Sequence, residues 1–394
     1  MKFPERHDTD PNNSSFSSYW KSTDTNLLPR YLSKDISLKE SNQWVKYYLE
    51  ADELGDEIAI QYLTTKGFKE GIHQLLLDFE GFPKNQQQLS AETTELFKQF
   101  TNVPSWVDFK AINQGVDYCN RCGTVALSVL RNYCLMGGYE SSSINKPLIF
   151  TGALKKGAAK RLSETIDFWI NITERDGLKS GNKGLKSLLT TRMIHSFSRI
   201  MIEKQSEWKT NLWGRPINTW DMVATNLGFS IVFMDGLSKL NLSPTKEEIN
   251  GTLHLWKYAG YLLGIPLDLL PNTPQEATDR LYLWSKTQKG IDQNSKDLAF
   301  ALYEEPLNVS FTKNKLTKWF VHKTNIGYNE VLLGNDSRAA LGLPYSKAKH
   351  WVLLLNKINR LVNNKCKSNP KFYQKSVKRG RKEQMKVWKL YHGN

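Results

Sequence analysis

A chain of 394 residues, 40% hydrophobic and 24% charged, is long enough to bury a sizeable core and too apolar to be a disordered polymer. Its net charge of +15 is concentrated: from Asn363 onward ten Lys and Arg stand against one acid, Glu383, which argues against a basic folded face for nucleic acid. Four cysteines are too few for a disulfide framework, and neither a signal peptide nor an uncharged apolar run of about 18 residues is visible, so a cytoplasmic protein without a membrane span is expected.

Residues 1–28 are rich in Ser, Asn, Thr and Asp and are expected to form a flexible segment. Helix punctuation then dominates and strand alternation is scarce. Apolar spacing predicts helices over 40–51, 57–65, 69–79, 91–100, 109–135 and 157–172. Within the fifth, Cys119 and Cys122 form a CxxC. No second pair follows at zinc-ribbon spacing, and Gly123 stands where covalent haem attachment needs His, so both are read as helix-face cysteines. The Gly- and Lys-rich loop 176–184 leads into a helix carrying His195. Asn218 and Asp221 open a segment reaching residue 240 that is apolar on nearly every side and is therefore expected to be central. Ser243-Pro244, followed by Glu247 and Glu248, starts a helix that ends near Gly264 and Pro266. Thr273-Pro274-Gln275-Glu276 is a capping box for a segment stopping at Gly290. A helix over 347–363 closes a single large all-α domain, 29–362, followed by a basic tail, 363–394. The tail reads first as a solvated or disordered end and second as an electrostatic contact for an acidic partner or an anionic membrane surface; Trp388, Leu390 and Tyr391 set apolar anchors among its charges, which adds weight to a peripheral membrane contact, and no specific nucleic acid is expected.

The most informative stretch is Arg192-Met193-Ile194-His195-Ser196-Phe197-Ser198-Arg199. Steps of three and four put Arg192, His195 and Arg199 on one stripe, among Leu185, Leu189, Met193, Ile200 and Met201. Either the stripe faces water, as basic side chains usually do, or an anionic or metallic group satisfies it inside. A haem offers both, iron for the imidazole and propionates for the arginines. The 12 Trp, 16 Tyr and 17 Phe suit a large apolar ligand or plain packing.

Five segments in order carry a family resemblance: Gly152-Ala153-Leu154; Arg161-Leu162-Ser163-Glu164-Thr165; the Arg192 to Arg199 stretch; Trp213-Gly214-Arg215-Pro216-Ile217-Asn218 with Asp221; and Leu253-His254-Leu255-Trp256-Lys257-Tyr258 running on to Gly264. From about Trp106 to Pro271 the chain resembles the haem-dependent oxygenases typified by bacterial rubber oxygenase, the latex-clearing type, and by the fungal oxygenase of mycophenolic acid biosynthesis. The resemblance implies a globin-like helical core holding haem b, with His195 as proximal iron ligand and Arg192 and Arg199 for propionate pairing or pocket orientation. It implies a distal Arg161 and Thr165 that position dioxygen. Glu164 departs from the pattern, because rubber oxygenases have lysine immediately before that threonine, and it is taken here as a third candidate catalytic group. For the rubber enzymes' upstream catalytic glutamate, Asn145 lies near the expected place and Glu140 is a loose counterpart. His254 falls in a family motif but is read as a structural histidine.

The resulting expectation is a haem b-dependent oxygenase or oxidoreductase acting with dioxygen on a small apolar, isoprenoid or lipid-like, substrate. The carboxylate at Glu164 motivates an alternative, a non-catalytic haem-binding sensor or carrier. A third reading is a helical interaction protein docked by its tail with no cofactor.

Overall fold

Side-chain caps such as Asp52, Ser90, Asp108, Asn218 and Thr273 set several of the helix starts. The computed structural model describes residues 4–392 apart from 11, 12, 14, 22, 24, 153, 155, 156, 206 and 311, so Ala153 of the first family segment lies outside the described residues. After a 3-10 stretch, Leu38–Tyr48, whose N-terminus is closed by a Ser37/Glu40 capping box, come α1 (Glu53–Ala59), α2 (Phe68–Gly81), α3 (Ala91–Thr101), α4 (Phe109–Arg121) and α5 (Gly123–Val129). Then follow α6 (Ser142–Phe150), α7 (Ala158–Ile172), α8 (Lys183–Glu203), α9 (Thr219–Leu227), α10 (Phe233–Lys239), α11 (Lys246–Leu262) and α12 (Pro274–Ser285). The last four are α13 (Gln293–Asn308), α14 (Lys315–Ala340), α15 (Lys349–Ser368) and α16 (Pro370–His392). Among the described residues there is no strand, only one isolated bridge between His7 and Gln288. The all-α expectation holds.

The differences from expectation are local and have causes. The helix read over 109–135 is broken at Gly123, which adopts a left-handed φ of 54°, and then continues through a π turn, Leu130–Leu135. The cap of α11 is Thr245 rather than Ser243, because the Thr245 hydroxyl accepts from the Glu248 amide while Glu248 accepts from the Thr245 amide at 2.8 Å. Helices α6, α13 and α14 carry weak sequence signals: α6 and α13 contain Pro147 and Pro306, and α14 is interrupted at Gly334, φ 72°. The segment from α9 through α10 is central as expected, with Leu227, Ile231, Phe233, Met234 and Leu237 fully buried. Beside it α4 and α11 touch backbone to backbone at Gly115 and Gly251. A Cβ on either would overlap the other chain's main chain, so only glycine permits this approach.

Both terminal segments require correction. Residues 1–28 are not a loose leader over their described part: Arg6 is buried and donates to Asp221 at 2.6 and 2.8 Å and to Gln288 at 2.8 Å, while Phe16, Tyr19, Leu27 and Leu28 join the core. Nor is 363–394 a solvated tail. Helix α16 lies against α4, α5 and α7. It buries small and polar residues, Ser376, Gly380 and Gln384, which is why its sequence lacks an apolar stripe. Gln384 Nε2 donates to the carbonyls of Cys119 and Gly123 at 2.9 and 3.1 Å, satisfying acceptors exposed where α4 ends. Trp388 and Tyr391 turn inward, bonding Asp167 at 2.8 Å and Glu305 at 2.7 Å. The domain therefore extends well beyond 29–362 at both ends.

Gly380 packs so closely that a Cβ would overlap the Asn120 carbonyl. Gly380→Val should lower unfolding free energy by roughly 1–3 kcal/mol, read as a drop in the thermal midpoint. Truncation after Val362, harmless for a solvated tail, should instead yield aggregated or unfolded protein by far-UV circular dichroism and light scattering.

Candidate functional site

On α8 the helical repeat does place Arg192, His195 and Arg199 along one line, and both arginines are buried, 2% and 1% exposed. What satisfies them is protein. Arg192 Nε and Nη2 donate to Asp52 at 2.6 and 2.8 Å, and its Nη1 reaches Gln99 and the Leu262 carbonyl. Arg199 makes a forked pair with Asp56 at 2.8 to 3.0 Å and donates to the Ile217 carbonyl at 2.6 Å. The expected assignment of these two guanidiniums to propionates is thus corrected, since carboxylates from the start of α1 already use their donors. Asp52 and Asp56 escaped the sequence reading. Their one signal was the four-residue spacing that faces both along one side of α1.

Asp52 also caps α1, accepting from the Gly55 amide at 3.1 Å. Burial alone would raise its pKa, but the Arg192 charge and hydrogen bonds hold it below the usual carboxylate value. Gly264, in a left-handed conformation with φ 85°, leaves room for it, because a Cβ there would press on the Asp52 carboxylate.

His195 sits between the two pairs. Its Nδ1 is buried with no hydrogen-bond partner among the described residues, while the ring as a whole remains partly accessible. Burial, then the Arg199 charge, pushes its pKa down to about 4 against a partial opposing effect of Asp52. The imidazole is therefore neutral near pH 7, with a lone pair to offer a ligand. It borders a cavity of about 10 Å³ lined also by Asp52, Ile217, Thr219, Met222 and Leu263, room for a single water. Ile217 there is a β-branched residue at φ 51°, a strained conformation held by the bond from Arg199 to its carbonyl.

Helix α7 packs against α8 as the other arm of a hairpin. Arg161 Nη1 donates to the Tyr139 hydroxyl at 3.1 Å, and no carboxylate pairs with it among the described residues. Thr165 and Phe168 continue its stripe at steps of four and three. Phe168 meets Phe229 and Trp256 at 6.0 and 6.2 Å between ring centres, and Phe229 stacks on Trp256 at 4.7 Å. Phe229 in turn lies two turns along from Met222 of the histidine cavity. Met222, which lines the histidine cavity, and Phe229 and Phe168 are partly buried apolar side chains packed against the core. The structure does not bring Arg161 and Thr165 into the small cavity itself, and Glu164 is exposed, which corrects its assignment to the distal chemistry.

The remaining candidates have structural partners. His254 Nε2 accepts from the Asp108 amide at 2.8 Å and packs edge-on to Trp106. Asn145 Nδ2 donates to the Tyr139 carbonyl and Ser295. Glu140 is buried, accepts from the Phe16 amide at 2.9 Å, and burial pushes its pKa up to about 7.

The model of the family described as "ER-bound oxygenase mpaB/B'/Rubber oxygenase, catalytic domain" matches residues 125–363, over half of the chain. This α-helical protein with a buried histidine helix belongs to that oxygenase family. Its fold is similar to the solved structure described as "Structure of Latex Clearing Protein LCP in the closed state", with a TM-score of 0.63 over 84% of this chain and 90% of that one, at 16% identity. That identity supports likeness of fold alone. Comparison with curated proteins gives no match.

Removing one partner of a buried ion pair strands the other charge, so Asp52→Ala should cost roughly 3–5 kcal/mol in chemical denaturation, and Asp52→Asn less. Glu140 provides a pH test. Its folded pKa lies above the unfolded value, so its contribution is complete below about pH 4.5 and is lost as pH rises through about 7. Unfolding free energy should fall by up to roughly 3 kcal/mol across that window, and Glu140→Gln should flatten the profile.

Proposed function

We propose that this protein is a haem b-dependent oxygenase that uses dioxygen on an apolar, isoprenoid or lipid-like, substrate. The observation that carries this is His195: a neutral imidazole whose buried Nδ1 has no partner among the described residues, held between two locked ion pairs beside Met222. That donor chemistry fits a residue that would hold the iron of a haem. When bound, haem b would supply the iron at which dioxygen is activated. The residues supply the rest. Arg192 and Arg199, fixed by Asp52 and Asp56, hold α8 in register so that the imidazole keeps one orientation. Arg161 has guanidinium donors that no carboxylate takes among the described residues, and the Thr165 hydroxyl lies one turn along. Both would be suited to donate hydrogen bonds to a polar group bound beside them. Met222, Phe229 and Phe168 would exclude water and offer apolar contact to a flat group.

Membership of an oxygenase family supports the reaction class, and the rubber oxygenases in its description support an apolar substrate. The sensor or carrier alternative rested on Glu164, and an exposed carboxylate gives it little support.

Haem reconstitution tests the reading. The wild-type chain should take up haem with a Soret band, and His195→Ala should lose most of that absorbance while keeping its far-UV dichroism. Arg161→Ala and Thr165→Val should retain haem but lower oxygen consumption with apolar substrates by roughly tenfold or more. Full haem uptake with an unaltered spectrum in His195→Ala would sink the assignment.

A further inference from the structure

Most of the large apolar side chains of α15 lie outside, the wrong way for a core helix. Its inner face mixes apolar and polar groups: Val352 and Cys366 are buried with Asn356 and Asn363, Asn359 donates to the Leu240 carbonyl at 3.1 Å, and Asn363 accepts from Arg121 at 3.0 Å. Its outer face carries Trp351, Leu354, Ile358 and Leu361, all exposed, Leu361 by 71%. Steps of three and four place these on one stripe. The first turns of α14 add Leu316, exposed by 72%, with Trp319 and Phe320. Phe320 and Trp351 lie 6.2 Å apart between ring centres, so the two exposed faces form one patch. Contiguous apolar surface with two tryptophans is unusual on a protein that works free in water.

The charge around the patch identifies what covers it. From Lys313 to the end, nineteen Lys and Arg stand against three acids, Glu330, Asp336 and Glu383. That is a net of +16 in a chain of +15, so the rest of the molecule is close to neutral. Lys357 and Arg360 are exposed on the flank of the α15 stripe. A second copy seated on this face would bring like charges together in an isologous contact. An anionic bilayer surface complements both the apolar centre and the basic flank.

We propose that the exposed face of α14 and α15 docks this protein peripherally on anionic phospholipid membranes, with the tryptophans and leucines entering the headgroup region. No helix of the described residues is long and apolar enough to cross a membrane, so the attachment lies in the plane of the interface. This moves the expected membrane contact from the terminal segment, whose anchors Trp388 and Tyr391 face inward, to a preceding helix pair.

Cosedimentation of the full chain with vesicles tests the proposal. Binding to mixed phosphatidylcholine and phosphatidylserine vesicles should exceed binding to phosphatidylcholine alone and should weaken with salt. Leu316→Ser/Ile358→Ser/Leu361→Ser should reduce partitioning roughly tenfold or more without lowering the thermal midpoint, since all three side chains are exposed. Lys357→Glu/Arg360→Glu should reduce it and flatten its salt dependence. Wild-type protein that ignores anionic vesicles, or a triple-serine variant that binds them undiminished, overturns the proposal. So does a wild-type dimer that the triple-serine variant converts to monomer, because the face is then an interface between copies.

Discussion

Two buried arginine–aspartate pairs between α1 and α8 hold the centre of this structure. Each guanidinium has been withdrawn from water, a transfer that is costly unless every donor finds an acceptor. Here the acceptors come as carboxylates, a glutamine and main-chain carbonyls. The spacing is unequal: Asp52 and Asp56 are about 6 Å apart along a helix axis, and Arg192 and Arg199 about 10 Å. Long arginine side chains absorb the difference. Because the pairs lie on either side of His195, α8 cannot slide or turn relative to α1 without breaking one of them. An imidazole held in this way is positioned before any ligand arrives.

The same pairs explain how much could be read from the chain itself. The Arg192, His195 and Arg199 stripe was legible because helical periodicity is local, and so were the Asn218 and Thr273 caps and the apolar segment through α10. Burial of the arginines was not legible, because the decisive carboxylates lie about 140 residues earlier in the sequence. Arg6 is a similar case: a lone cation in a polar leader becomes a core residue by meeting Asp221, 215 residues on. Helix α16 was misread because it docks through glycine, serine and glutamine rather than through apolar groups. Polarity of composition and exposure are distinct quantities when backbone carbonyls supply the partners. At the site, periodicity grouped Arg161 with Thr165, but it could not show that Glu164, between them in sequence, turns to solvent.

Hydrophobic order is distributed unevenly over the molecule. Around α9 to α11 it follows the usual rule, with large apolar residues inside and glycines admitting close helix contact. On α15 it is partly reversed, with asparagines beside Val352 and Cys366 within and most of the large aliphatic groups outside. The reversal coincides with the region that carries all of the net positive charge, so shape and electrostatics mark the same side of the protein.

The glutamine that closes the end of α4 has a consequence for how the chain is made. Gln384 reaches carbonyls at Cys119 and Gly123, 265 and 261 residues earlier, and Arg6 waits on Asp221 in the same way. During synthesis α4 and α5 leave the ribosome long before the side chain that completes their junction. Until α16 docks, those carbonyls and that flank of α4 and α5 are left to water. Joining groups 261 and 265 residues apart costs loop-closure entropy, so Gln384 closes this junction only once distant parts of the chain have been brought together.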